Sequence, residues 1–216
     1  MQKVLIISNK DSIWLIPSWK KVVKKFSKDI NFVEIIYLPE KLKNFNFFQS
    51  IIYYLNMFGL YSFTLLSLFS IKRIFKNYFN KIPEFEKIDK TSLDYFSVKA
   101  IKEIVDEKKP NIVFISCSYI IPNELLQIKG VKWINKHASL LPETRGIFPY
   151  IWNVILERKQ GISFHEVSDS IDTGDVIYQD EIKNSTSMTD FYKKIYDNFD
   201  KYFELFLLNY STENLK

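Results

Sequence analysis

Residues 3–8 read KVLIIS, residues 32–37 read FVEIIY and residues 111–116 read NIVFIS. Each is a short, almost unbroken apolar run rich in β-branched residues, the pattern of a strand buried on both faces. Between and after these runs the chain supplies amphipathic segments of helical period. One follows the polar loop Asn9-Lys10-Asp11-Ser12 and reaches about Lys28, and another covers about 92–108. Strand, helix and strand in this order define an α/β chain with a mostly parallel open sheet flanked by helices. Shorter strands are predicted at 131–135, 161–167 and 175–180. A carboxyl-terminal helix over about 187–210 carries Tyr192, Ile195, Phe199, Tyr202, Phe203 and Phe206 on one side. With no internal repeat and no flexible linker, residues 1–216 read as one domain.

Composition excludes several classes. Apolar residues make up 47% and charged residues 25% of the 216, so the chain is neither disordered nor fibrous. The net charge of +5 raises nucleic acid as a partner. However, only Arg73, Arg145 and Arg158 are arginines among thirty basic residues, and the lysines are scattered instead of forming one patch. No nucleic-acid partner is expected. Cys117 is the sole cysteine, so no disulfide forms within the chain, and MQKVLIISNK at the amino terminus has neither the apolar run nor the cleavage site of a signal peptide. The expected compartment is the cytoplasm.

Residues 44–71 contain no charged side chain and are bracketed by Lys41 and Lys43 on one side and Lys72, Arg73 and Lys76 on the other. Length and flanks suit a membrane-spanning helix. The interior opposes it, because Gln49, Ser50, Asn56, Gly59, Ser62, Thr64 and Ser67 each disfavour insertion. The expectation is a pair of helices, buried or docked on the surface, broken near Gly59. Their aromatic residues would pack over the sheet near a cleft, or against a second copy in a homodimer, with peripheral membrane association left open.

The chemistry concentrates in 130–174, which holds both histidines, His137 and His165, and four of the five glycines. WINKHASLLPETRGIFPYIW (133–152) delivers Asn135 and His137 from one strand end, two residues apart and therefore on the same face. An imidazole that accepts a proton beside an amide that stabilises an oxyanion suits acyl transfer. In GISFHEVSDSIDTGDVIYQ (161–179), Asp172 opens the turn Asp-Thr-Gly and offers a carboxylate to orient His137 or to collect a proton through water. Histidines 28 residues apart fit no zinc spacing, so no metal is expected, and Ser139 lies on no nucleophile-elbow sequence.

These residues resemble the signature of the folate-dependent formyltransferases, which reads Asn-x-His-x-Ser-Leu-Leu-Pro, then Arg-Gly, then Asp-x-Gly. Asn135, His137, Ser139, Leu140, Leu141, Pro142, Arg145, Gly146, Asp172 and Gly174 match it in order, and Asp172 lies 35 residues after His137. The resemblance is firm over 111–181, and the first strand fits the family's Rossmann-like start. Ala138 departs from a position where many members have proline. The resemblance implies a Rossmann-like formyltransferase fold and 10-formyltetrahydrofolate as formyl donor. It also implies an amine acceptor that attacks the formyl carbon through a tetrahedral intermediate. Asn135 and His137 would serve the oxyanion or the moving proton, and Asp172 would hold the histidine. Folate would lie along Ser118, Tyr119, Ile120 and Ile121, in the loop from Cys117 to Pro122, with Asp172 also facing it. The family's loop further implies a cis Leu141–Pro142 peptide.

Family members differ in acceptor. Methionyl-tRNA formyltransferases carry a further carboxyl-terminal domain, which this sequence is expected to lack because it ends about 35 residues past the last motif strand. Glycinamide ribonucleotide formyltransferases have a glycine-rich phosphate loop after the first strand, where this chain reads SNKDSIW (8–14). The branch acting on nucleotide-linked amino deoxysugars, for surface polysaccharide, includes compact members with an aromatic-rich helical insertion after the second strand. Residues 41–90 resemble such an insertion. The expected substrate contacts are Asn9, Lys10, Asp11, Ser12, Trp14 and Arg145, with Trp14 or Tyr54 stacking on the base. The alternative for 9–14 is an ordinary loop in which Asp11 or Ser12 caps the next helix. A formyltetrahydrofolate hydrolase and a non-catalytic, membrane-attached binding protein of the same fold are the remaining alternatives.

Overall fold

A computed structural model describes residues 1–39 and 47–213. Strand β1 (Gln2–Asn9) leads through α1 (Leu15–Phe26) to β2 (Ile30–Leu38). The long α2 (Phe47–Phe79), the short α3 (Pro83–Glu86) and strand β3 (Asp89–Ser92) precede α4 (Val98–Lys108) and β4 (Ile112–Ser116). A one-turn α5 (Asn123–Leu126), β5 (Lys132–His137), α6 (Pro149–Ile155), β6 (Gly161–Glu166) and β7 (Val176–Glu181) follow. Helices α7 (Met188–Asp197) and α8 (Phe199–Glu213) complete the described chain.

The strands form one seven-stranded sheet in the order β3-β2-β1-β4-β5-β6-β7. From β3 to β5 neighbouring strands are parallel, whereas β6 and β7 run antiparallel. The apolar runs are the middle of this sheet: Ile6 of β1 lies in register with Ile35 of β2 and Phe114 of β4. Alternation divides them between two cores. Val4, Ile6 and Phe114 face a layer made by α1, α7 and α8, while Leu5, Ile7, Val113 and Ile115 face α4 and α5. In α1 the buried residues Leu15, Trp19, Val22, Val23 and Phe26 recur at helical spacing, which fixes the face it turns to the sheet. From β1 the chain crosses to β2 on one side, and it later returns to β4 on the other. The crevice at the carboxyl ends of β1 and β4 is therefore the switch point at which open α/β sheets hold ligands.

Three expectations change. Residues 89–92 are an edge strand, in register with Glu34–Tyr37 of β2, and the helix expected from 92 begins at Val98 behind the Ser97 cap. Asp-Lys-Thr-Ser is polar and largely exposed, so it carries no apolar alternation to announce a strand. The carboxyl-terminal helix is two helices meeting at Asn198, with the aromatic side as expected. Residues 47–79 are helical and broken at Gly59, whose φ of 72° and ψ of 161° suit glycine. Lys41, Lys43 and the first residues of the uncharged stretch lie outside the described residues. Phe69 packs on Trp14, with ring centroids 5.5 Å apart, but Phe48, Tyr61, Phe75, Tyr78 and Phe79 are exposed instead of lying over the sheet. Among the described residues, no helix is long and apolar enough to cross a membrane.

Candidate active site

The residues that close the site are set by a buried polar network in the loop after β5. Ser139 Oγ contacts Thr144 Oγ1, Thr144 Oγ1 donates to Asn153 Oδ1 (2.7 Å), and Asn153 Nδ2 returns a bond to Ser139 Oγ (3.1 Å). Ser163 of β6 donates to Ser139 O (2.7 Å) and accepts from Leu141 N (3.1 Å), so the loop is also tied to the sheet. The Leu141–Pro142 peptide within it is cis. Buried polar groups that satisfy one another fix a single geometry. That geometry aims Thr144 O at His137 Nε2 (2.7 Å) and Gly146 N at Asp172 Oδ2 (2.8 Å).

The three residues expected at the chemistry meet here. His137 Nδ1 lies 3.5 Å from Asp172 Oδ2, and Asn135 Nδ2 lies 3.4 Å from Asp172 Oδ1. A carbonyl only accepts, so His137 carries a proton on Nε2 and its Nδ1 is the nitrogen that gains or loses one. Burial pushes the imidazole below the usual value of 6.5, against the opposing pull of Asp172 and the Thr144 carbonyl. Burial alone would raise the Asp172 carboxyl. Contact with His165, the charge of His137 and the Gly146 N–H outweigh it and hold the group below the ordinary carboxylate value. Asp172 therefore remains ionised beside an imidazole that is neutral until it captures a proton.

His165 is the member that sequence reasoning missed. Antiparallel pairing of β5 with β6 sets it directly across from Asn135. Its Nδ1 lies 2.8 Å from Glu166 O, and its Nε2 lies between Asn135 Nδ2 at 3.2 Å and Asp172 Oδ1 at 3.5 Å. Thr144 and Asn153 were also missed. Lys136, between Asn135 and His137 in sequence, donates to Tyr196 Oη (2.8 Å), and burial pushes its ammonium down to about 8.

This cluster lines a cleft of about 900 Å³ at the carboxyl ends of β1, β4 and β5. Ser118, Tyr119, Ile120 and Ile121 form one wall, with Tyr119 stacked on Phe96 at 5.2 Å. Ser116 also lines the cleft, and its Oγ is buried with no hydrogen-bond partner. The expected substrate contacts divide. Asn9 lines the cleft, where its Oδ1 accepts from Ser118 N (2.9 Å) and its Nδ2 donates to Pro39 O (3.0 Å). Lys10, Asp11, Ser12, Trp14 and Arg145 are not among the lining residues. Asp11 Oδ1 accepts from Ile13 N (2.7 Å) and Trp14 N (3.1 Å) within the turn that precedes α1, whose N-cap is Trp14 and not Asp11 or Ser12, and Lys10, Ser12 and Arg145 are exposed. Trp14 is packed among Phe69, Tyr192 and Tyr196, with the Arg73 guanidinium 4.4 Å from its ring. Among the described residues, neither Tyr54 nor another member of α2 lines the cleft.

A family model described as formyl transferase matches residues 80–203, more than half of the chain. The chain belongs to the formyl transferase family. It is 35% identical over 111 residues to a methionyl-tRNA formyltransferase of Clostridium acetobutylicum, a match covering 51% of this chain and 34% of that protein. The chain thus matches about a third of the length of such curated relatives. Among solved structures, a phosphoribosylglycinamide formyltransferase from Anaplasma phagocytophilum superposes with a TM-score of 0.65 at 14% identity, covering 95% of this chain and 85% of that one. A sugar N-formyltransferase from Shewanella sp FDAARGOS_354 superposes with a TM-score of 0.60 at 21% identity, covering 98% and 71%. At these identities the superpositions establish the fold, a mostly parallel Rossmann-like sheet.

Proposed function

We propose that this chain transfers a formyl group from 10-formyltetrahydrofolate to the amino group of a nucleotide-linked amino deoxysugar. The observation that carries the formyl-transfer reading is the meeting of Asn135, His137 and Asp172 in one cleft beside a loop suited to folate. Ser118 to Ile121 would hold the donor along one wall of the cleft. Bound there, the donor supplies an electrophilic formyl carbon. Asn135 Nδ2 donates to the oxygen as it gains negative charge, turning from its long contact with Asp172 Oδ1. His137 takes the proton of the attacking amine on Nδ1, and Asp172 Oδ2 stabilises the imidazolium so formed. The same nitrogen then gives the proton up to the departing amine. His165 keeps the Asn135 amide oriented through its Nε2.

The choice of acceptor is supported by the aromatic-rich α2 inserted after β2 and by the glycine-free β1–α1 loop. The likeness to the Shewanella sugar N-formyltransferase agrees with that choice. The likeness to methionyl-tRNA formyltransferases favours a second acceptor, methionyl-tRNA, although it covers only about half of this chain. The test is incubation with 10-formyltetrahydrofolate and a panel of nucleotide-linked 3-amino and 4-amino deoxysugars, methionyl-tRNA and glycinamide ribonucleotide. A mass gain of one formyl group on a sugar nucleotide is the expected result. Formylation of tRNA or ribonucleotide instead would overturn the acceptor, and formate release without any acceptor would make the protein a hydrolase.

A further inference from the structure

Helix α2 carries a second surface that the cleft chemistry does not use. After the break at Gly59 it docks one side on the body of the protein. Arg73 makes the main contact there, donating from Nε to Ile13 O (2.6 Å) and pairing through Nη2 with Asp197 Oδ1 (2.7 Å). Asn77 Nδ2 donates to Ser12 O (3.1 Å), and Phe69 packs on Trp14. The opposite side is solvent-facing and apolar. Tyr61, Leu65, Leu68, Phe75 and Phe79 follow one another at three- or four-residue steps, with Lys72 in the same row, and each of the five is 50% to 78% exposed. Leu60, Ile71 and Tyr78 widen the stripe. It runs about 30 Å along the helix. The rings of Tyr61, Phe75, Tyr78 and Phe79 alone leave roughly 400–700 Å² of aromatic surface in water. That is at or above the size of the largest apolar patch on an ordinary monomer, the kind of patch that marks an interaction site.

The charge pattern identifies it. From residue 41 to residue 83 the sequence holds six basic residues and no acidic one. Lys72 and Lys76 are exposed within and beside the carboxyl-terminal half of the stripe. A second copy pairing α2 against α2 would set like charges together, because this span holds no carboxylate. The stripe is also the outer, convex half of a docked helix, a shape that a fluid phase closes around without a matching groove. An apolar phase bordered by negative charge satisfies both features, and the long lysine stems keep their ammonium groups at its boundary.

We propose that the outer face of α2 seats this protein on the surface of an anionic lipid leaflet, with Tyr61, Leu65, Leu68, Phe75 and Phe79 at the acyl boundary and Lys72 and Lys76 among the headgroups. The proposal rests on α2 alone and stands whichever amine is formylated. The test is co-sedimentation of the full chain with vesicles of phosphatidylcholine alone or mixed with phosphatidylglycerol. The variants are K72Q/K76Q and F75S/F79S, both on the exposed face, with native circular dichroism as the check on folding. The expected result is partition onto the mixed vesicles that weakens about 25-fold in K72Q/K76Q, near five-fold per lysine. It is lost in F75S/F79S and reduced by salt. Recovery in the supernatant with both vesicle types overturns the proposal, as does binding that ignores either pair of substitutions. A concentration-dependent dimer abolished by F75S/F79S, with no vesicle binding, would assign the face to a second copy.

Discussion

In the proposed mechanism His137 begins the reaction with Nδ1 bare, 3.5 Å from an ionised Asp172, and that arrangement would set how the rate responds to pH. Activity fails once His137 is protonated before substrate arrives, so the acid limb of kcat/KM should have its midpoint below 6.5, in the direction burial moves the group. Asp172 pulls the other way and raises the imidazole. D172N should therefore shift the acid limb still lower while reducing turnover about 10²–10⁴-fold, and H137N should lose a similar factor. A limb that moves upward in D172N would contradict the pairing, and an H137N enzyme with most of its turnover would contradict the role of His137. Stability has the same sign. A histidine whose folded value is depressed contributes fully above 6.5 and progressively less as pH falls, because the unfolded chain binds the proton first. Thermal midpoints measured across that range should fall more steeply for the native chain than for H137N. Asn135 and His137 were legible in the sequence because a two-residue step on a strand end is a local pattern, and Asp172 because it completes the ordered motif 35 residues past His137. His165 was not, since its place opposite Asn135 depends on an antiparallel register between segments separated by a whole helix.

The turn that carries Asp172 depends on how closely β6 and β7 approach at its end. A Cβ at Gly174 would sit 1.9 Å from the Glu166 carbonyl oxygen, a backbone atom held in the sheet, so no side chain can move aside. Glycine is needed there for space. G174A should cost about 3 kcal/mol, at the upper end of overpacking effects. For a chain of this size that lowers the melting temperature by roughly 6–12 °C. Because the displaced backbone carries Asp172, turnover should fall with it even at temperatures where the variant stays folded. A G174A enzyme with native melting temperature would refute the contact. The sequence marked this glycine as part of a motif, but the cause lies in the Glu166 carbonyl across the strand pair. The same limit explains the other elements. Central strands were readable because burial on both faces leaves an apolar run, while β3 was not, being four polar residues whose only claim is hydrogen bonding to β2. For α2 the break at Gly59 was legible, but the side on which the helix docks was not. That side is chosen by Arg73, Asp197 and the Ile13 carbonyl, which no periodicity brings together.

The sheet, α1 and the carboxyl-terminal helices are held as one body by a cluster of rings centred on Trp19. Its ring packs edge-on against Phe114 of β4 (5.1 Å), Phe199 (5.3 Å) and Phe203 (5.9 Å) of α8. Phe114 in turn meets Phe164 of β6 and Phe206 of α8, so rings from four elements touch through two side chains. Trp19 Nε1 is buried with no hydrogen-bond partner. The indole thus stabilises through its area and ring contacts, while its N–H carries an uncompensated desolvation cost. The two effects separate by substitution. W19A empties the junction and should cost about 3–5 kcal/mol, a large share of the roughly 5–15 kcal/mol that holds a domain together. W19F keeps a ring in place and removes the unsatisfied N–H, so its cost should stay below about 1.5 kcal/mol despite the smaller volume. Urea unfolding followed by circular dichroism measures both, and a lower midpoint at unchanged slope would show that the loss is one of stability. Equal losses in the two variants would mean that the Nε1 group has a partner, and a small loss in W19A would show that the carboxyl-terminal helices are anchored elsewhere.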